Sequence, residues 1–199
     1  MRLILGISGA TGAIYGIRLL EVLKEKGIET HLIITSTSEK IIRDETSYSV
    51  EEVKHLAAFV YNNEDLSAPI SSGSFRTDGM VVIPCSIKSL SGIAQSHNEN
   101  LLIRAADVTL KEKRRLALGV RETLLQKGHL DLMLQVCQIG AILLPPMPAF
   151  HFHPETIDDL VNLSVKKVLD FFDIEHDLFK RWGSSAIGRY TKAQRRKIS

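Results

Sequence analysis

Cysteine is scarce in this sequence: two residues, Cys85 and Cys137, among 199. They lie far apart and match no metal-ligand or dithiol spacing. A disulfide scaffold, a structural zinc and a redox pair are therefore not expected, and a reducing cytoplasm is the expected compartment. Charge of one sign is scarce too. The net charge is +2, too small to point to nucleic acid as a partner. No apolar run approaches the roughly 20 residues that span a bilayer. The opening stretch Met1-Arg2-Leu3-Ile4-Leu5-Gly6 is shorter than a signal-peptide core, so no membrane segment is expected. Internal repeats and low-complexity linkers are missing as well. With 44% apolar and 24% charged residues, what is left is an ordinary globular domain with a full core. One domain is expected over residues 1–183. Residues 184–199 are expected to be a disordered tail, its Arg189, Lys192, Arg195, Arg196 and Lys197 solvated rather than bound to nucleic acid.

The apolar residues that are present fall into two periods. Short continuous runs read as buried strands: Leu3 to Ile7, His31 to Thr35, Met80 to Pro84, Leu116 to Val120 and Ala141 to Leu144. Between them lie helical spacings. Ile14, Ile17, Leu19, Leu20 and Leu23 form one helix, closed by Gly27. Further helices are expected over 39–45, over 86–95, over 101–113 with Asn98 as N-cap, over 130–139 stopped by Gly140, and over 157–172 capped by Thr156. Ser49-Val50-Glu51-Glu52 has the capping-box pattern and opens another short helix. Residues 61–78 are polar, with Gly and Pro, and read as a loop. Continuously apolar strands alternating with helices predict an α/β protein with a parallel sheet covered on both faces. In such a sheet the ligand lies beyond the carboxyl ends of the strands, so the residues just after each strand are the ones to inspect.

Ser8, Gly9, Ala10, Thr11 and Gly12 follow the first strand. Small residues allow close backbone approach, and a helix start offers free N–H groups to an anion. The second strand ends in Thr35, Ser36, Thr37 and Ser38, where a dinucleotide site places Asp or Glu for the ribose. Hydroxyls there suit the phosphate of a mononucleotide, or simply cap the next helix. Ser86 and Ser89 after the third strand admit the same two readings. Cys85 is either a small packed side chain or a nucleophile. Arg121 and Glu122 end the fourth strand, as a structural ion pair or as a phosphate ligand beside a proton carrier. Arg104 and Lys111 share one helix face, either a solvated basic face or a phosphate site. His151 and His153 follow the fifth strand in a proline-stiffened loop. Without further ligands of matching spacing they do not make a metal site, and no metal is expected.

Several of these segments occur together in order: Gly6-Ile7-Ser8-Gly9-Ala10-Thr11-Gly12, Ser71-Ser72-Gly73-Ser74-Phe75, Pro84-Cys85-Ser86, Arg104-Ala105-Ala106-Asp107-Val108, Leu110-Lys111-Glu112, Arg121-Glu122, Pro148-Ala149-Phe150, Ile157-Asp158-Asp159-Leu160 and Arg181-Trp182. Together they resemble the UbiX family of flavin prenyltransferases, the type associated with phenolic and aromatic acid decarboxylases. The resemblance implies a flavodoxin-like (Rossmann-like) doubly wound parallel sheet, bound FMN and a homo-oligomer, a dodecamer. It also implies a metal-independent reaction: a dimethylallyl group passes from dimethylallyl phosphate to reduced FMN, at N5 and then C6. The product, prenylated FMN, serves UbiD-type decarboxylases.

Carried onto this chain, the resemblance implies Gly9, Ala10, Thr11, Thr35, Ser86, Ser89 and Arg121 as FMN contacts, with Ser8 beside them. It implies Arg104, Lys111, His151 and Lys167 on the substrate phosphate, some of them across a subunit interface. Glu45, Glu122 and Trp182 are the implied catalytic residues, Glu122 carrying a proton to the phosphate and Trp182 facing an allylic cation. A second phosphate-sized pocket, lined by Lys111, Arg121, Glu122, His151 and Lys167, is expected beside the flavin. Three departures stand out: His151 where relatives commonly have tyrosine, Lys167 where they often have arginine, and Leu124-Leu125-Gln126-Lys127-Gly128 in place of a Pro-Leu-Ser type segment. These bear on prenyl transfer more than on FMN binding. The competing readings are an FMN flavoprotein without prenyl transfer and a partner subunit of an aromatic acid decarboxylase.

Overall fold

The computed structural model describes residues 1–178. Trp182, the end of the expected 1–183 domain and the expected 184–199 tail lie outside the described residues. Six parallel strands form one sheet: β1 (Arg2–Ile7), β2 (Glu29–Ile34), β3 (Phe59–Tyr61), β4 (Gly79–Cys85), β5 (Arg115–Val120) and β6 (Ile142–Leu143). Their order is β3-β2-β1-β4-β5-β6, which makes the sheet doubly wound with its reversal between β1 and β4. Among the described residues seven α-helices flank them: α1 (Ala13–Glu25), α2 (Ser36–Glu45), α3 (Val50–Lys54), α4 (Ile87–Ala94), α5 (Leu101–Lys111), α6 (Lys127–Gln138) and α7 (Ile157–Phe171). The expected α/β, flavodoxin-like architecture is therefore present.

Two cores sandwich the sheet. One face packs Leu19, Leu20 and Leu23 of α1 with Val165, Val168 and Leu169 of α7. The other packs Leu90 and Ile93 of α4 with Leu102, Ala105 and Ala106 of α5 and Val136 of α6. β4 is buried along its whole length, as a central strand covered on both faces must be. The helix starts follow the sequence signals. Ser49 and Thr156 both head complete capping boxes, with Glu52 and Asp159. α1 stops at Gly27, where φ is 65° and the amide of Ile28 reaches back to the carbonyl of Leu23 at 2.9 Å, a Schellman closure.

The structure corrects the sequence reading in three places. A sixth strand, β3, stands at the edge of the expected 61–78 loop. Three residues, paired to β2 only through His31, Leu32 and Ile33, are too few to show a period. The N-cap of α5 is Asn100, whose Oδ1 accepts from the Ile103 amide at 3.1 Å. Asn98 is two residues too early to reach that amide and instead donates to Asp107 at 3.1 Å. α6 begins at Lys127, where Gln126 caps it through the Gly128 amide at 2.6 Å.

The amino end of the sheet holds a polar cluster around one buried imidazole. His31 on β2 is 1% exposed. Its Nδ1 meets the Tyr61 hydroxyl at 2.9 Å and its Nε2 meets Glu29 at 2.8 Å. Phe59 stacks on the ring at 4.9 Å and Phe75 abuts it edge-on at 5.1 Å, while Arg2 pairs with Glu29. Burial pushes the His31 pKa below its ordinary value of 6.5, against the opposing pull of Glu29. The fold thus holds the ring neutral, while the unfolded chain takes up a proton as pH drops past about 6.5. Stability is fully present above that pH and declines below it until the folded ring itself protonates. Urea midpoints measured from pH 7.5 to 5.5 are expected to fall for the native sequence and to fall less for His31→Gln.

Candidate functional site

β1 and β4 run in register from Leu3 opposite Gly79 to Gly6 opposite Val82, and then their connections part toward opposite faces. The Ser8 amide still reaches the Pro84 carbonyl at 3.1 Å. Beyond that point the crevice opens into a cleft of about 610 Å³, within the ordinary range for small-molecule sites. Ten of the residues singled out from the sequence line it: Gly9, Ala10, Thr11, Thr35, Ser36, Thr37, Ser86, Ser89, Arg121 and Glu122. Ser8 is fully buried and is not among the lining residues.

Three helix starts meet at this cleft, and their caps treat it differently. Thr35 caps α2 through the Ser38 amide, and Ser86 caps α4 through the Ser89 amide. Those hydroxyls are thus N-caps and cleft residues at once. In each case the first two amides of the helix, Ser36 and Thr37 or Ile87 and Lys88, belong to residues lining the cleft. Such amides have no partner inside a helix. The start of α5 is closed instead. Asn63 takes the Leu101 amide on its carbonyl at 2.7 Å and the Leu102 amide on Oδ1 at 3.1 Å. An anion therefore finds open donors at α2 and α4, where the helix dipoles also favour it. Gly9 keeps these elements close, since a Cβ there would sit 2.8 Å from the Thr37 side chain. The cleft has no acidic residue at the end of β2, so the donor set fits the phosphate of a mononucleotide such as FMN.

The cleft's charged side chains are Lys88 and Arg121 against Glu64, Glu99 and Glu122. Arg121 and Glu122 do not pair. The Arg121 amide continues the ladder to the Cys85 carbonyl at 3.1 Å, and Glu122 accepts from the Thr123 amide at 2.9 Å. Lys88 reaches Glu99 at 3.2 Å. Glu45, at the end of α2, accepts from the Gly12 amide at 2.7 Å and so ties the β1–α1 turn, where Gly12 has φ 93°.

The flavoprotein family model matches residues 1–168. Flavin prenyltransferase UbiX from Thauera aromatica is 56% identical over 92% of this chain and 94% of its own. The dodecameric FMN-dependent UbiX-like decarboxylase from Escherichia coli O157:H7 superposes with a TM-score of 0.90 at 50% identity, covering 92% of this chain and 99% of that one. AnUbiX, solved in complex with FMN and dimethylallyl pyrophosphate, matches with a TM-score of 0.90 at 46% identity, over 91% and 96% of the two chains. This chain belongs to the UbiX family of flavin prenyltransferases.

Arg104, Lys111, His151 and Lys167 are not among the residues lining the cleft of a single chain. Arg104 donates to the Ser71 carbonyl at 3.1 Å and pairs with Asp107 at 3.2 Å. Lys111 stands seven residues further along α5, roughly 10 Å away, beside Glu112 at 3.5 Å. His151 is exposed in the short 3-10 turn Phe150–Phe152, and Lys167 is exposed on α7. One chain therefore does not assemble the second phosphate pocket expected from Lys111, Arg121, Glu122, His151 and Lys167. Asn63, Lys88 and Glu99 were missed by sequence reasoning. Asn63 follows the unrecognised strand β3, and no motif in the sequence marks Lys88 or Glu99.

Cys85 is buried, and burial pushes its thiol up to about 12, so it stays protonated and packs rather than attacks. No group of three or more metal-ligating side chains occurs among the described residues, and no described helix is long and apolar enough to cross a membrane. Both cysteines are free, with Cys137 exposed. At pH 8 Ellman's reagent is expected to titrate no more than the Cys137 thiol in the native chain and both thiols after denaturation. Rapid native reaction of Cys85, read in a Cys137→Ser variant, would contradict the burial argument.

Proposed function

We propose that this chain binds FMN in the cleft beyond β1 and β4 and, with the flavin reduced, transfers to it the dimethylallyl group of dimethylallyl phosphate. The observation that carries the reading is identity above 50% with flavin prenyltransferases over nine-tenths of the chain, joined to a cleft whose open amides and hydroxyls suit a flavin mononucleotide. In the reaction the allylic C–O bond breaks, a bond to flavin N5 forms, and phosphate departs with the N5 proton. A second bond, at C6, closes the new ring, and the C6 proton moves to the side chain.

Roles follow from position. The open amides at α2 and α4, with Gly9, Ala10, Thr11, Thr35, Ser86, Ser89 and Arg121, hold the flavin. Glu122, in the same cleft, delivers a proton to the leaving phosphate. Glu45 shapes the first turn through Gly12. Arg104, Lys111, His151 and Lys167 handle the donor phosphate, and since they sit on other faces of the chain they act in the cleft of a neighbouring copy. Leu130, Leu134, Ile139, Ile142 and Phe150 are each exposed, and exposed apolar residues suit burial in such an assembly, a dodecamer like that of the Escherichia coli relative. Trp182 keeps its proposed role facing the allylic cation. A UbiD-type decarboxylase is the proposed recipient of the product, and the cytoplasm, where two free thiols persist, the proposed compartment. A thiol-based flavin reaction finds little support, because no cysteine lines the cleft.

Anaerobic incubation with reduced FMN and dimethylallyl phosphate, followed by mass spectrometry of the flavin, is expected to show the addition of one five-carbon unit. Glu122→Gln should slow its appearance by about 10²–10⁴-fold, and His151→Ala should abolish it. Bound but unmodified FMN would move the assignment to a non-prenylating or partner-subunit role. Arg121→Ala is expected to weaken FMN binding by about 10–150-fold, the worth of a charge-assisted hydrogen bond, read by flavin fluorescence quenching. Leu134→Glu should break the assembly in light scattering and take prenyl transfer with it; full activity in a dissociated monomer would refute the shared site.

A further inference from the structure

Ser8 was expected among the flavin contacts, yet its side chain is fully buried behind the cleft. Its hydroxyl nonetheless has a specific set of partners. It donates to the Pro84 carbonyl at 3.1 Å and accepts from the Ser86 amide at 2.8 Å. Proline has no amide to give the sheet, and the β4–β5 pairing shifts register between Val82 and Cys85. Cys85 ends β4, and the amide of Ser86, the first beyond the strand, goes to the Ser8 hydroxyl. Ser86 then turns into α4, its hydroxyl donating to that of Ser89 at 3.2 Å and accepting from the Ser89 amide at 3.2 Å. The buried hydroxyl therefore stands one link behind the N-cap of α4.

We propose that Ser8 is a positioning residue of the flavin site, fixing Ser86 so that the open amides of Ile87 and Lys88 face the bound flavin. It never touches the ligand; it sets the direction of the donors that do. The inference rests on the proposed FMN binding and adds a residue that shapes the site from inside the sheet.

The test compares FMN dissociation constants and the visible circular dichroism of bound flavin for the native chain, Ser8→Ala, Ser86→Ala and the double variant, on proteins shown by urea titration to be folded. Thr109→Ala is the control: Thr109 is also buried, and its hydroxyl donates to the Ala105 carbonyl at 2.7 Å with no link to the cleft. Ser8→Ala is expected to weaken FMN binding about tenfold or more and to change the flavin dichroism. The double variant should be no worse than the weaker-binding single variant, because both act through one chain of bonds. Thr109→Ala should lower the urea midpoint without either effect. If Ser8→Ala does not fold, amide exchange in the flavin-free native chain decides instead: Ser86 should be protected, and Ile87 and Lys88 should exchange freely until FMN is added. FMN affinity within twofold of native, a loss that Thr109→Ala reproduces, additive losses, or a freely exchanging Ser86 amide would overturn the proposal. Failure of the native chain to bind FMN at all would instead overturn the flavin reading.

Discussion

Between β1 and β4 the chain leaves the sheet in two directions, α1 joining one core and α4 the other. A helix packed on one face cannot also cover the strand ends where the connections part, so a crevice forms there whatever the side chains are. The side chains decide how wide the crevice is and what it accepts. Here small residues keep the turns tight, and Pro84 removes one donor from the sheet just where the strands separate. The local bonding is therefore handed to hydroxyl groups, and the same hydroxyls begin the helices that wall the site.

The resulting electrostatics are uneven. Two helix starts present uncommitted amides, and a third has its amides consumed by Asn63 and Asn100. The formal charges run the other way, three carboxylates against two cations. A phosphate is thus favoured at the α2 and α4 starts by dipoles and directed N–H groups, while the carboxylates suit proton handling and a transient positive charge. A cleft dominated by lysine and arginine would bind phosphate in many orientations; directed amides admit few.

The parallel sheet and its ligand-bearing end were legible because they depend on features with long sequence support: apolar runs, capping boxes, and glycines after helices. Thr35, Ser86 and Arg121 could be placed because each directly follows a strand. β3 escaped detection because Phe59-Val60-Tyr61 is shorter than any period, and Asn63 went with it. Asn98 and Asn100, two residues apart, look alike in the sequence until Asn100 is seen to reach the third helical amide. Ser8 carried the right residue type, but nothing local tells whether a hydroxyl faces the ligand or the strand behind it. Arg104, Lys111, His151 and Lys167 share a family pattern and do not line the cleft of one chain, so spacing along the chain alone could not place them.

The cluster around His31 has a consequence of its own. It lies four residues down β2 from Thr35, roughly 13 Å at strand rise, and the fold holds its imidazole uncharged at neutral pH. A neutral imidazole projects no ionic field toward the flavin end of the sheet, and Arg2 and Glu29 offset each other as an ion pair. One end of the sheet thus sets how far stability falls as acidity rises and the other carries the site, joined by uncharged strand. Substitutions that retune acid tolerance have room to accumulate at the first end without retuning the second, which leaves the two properties separable for selection or for redesign.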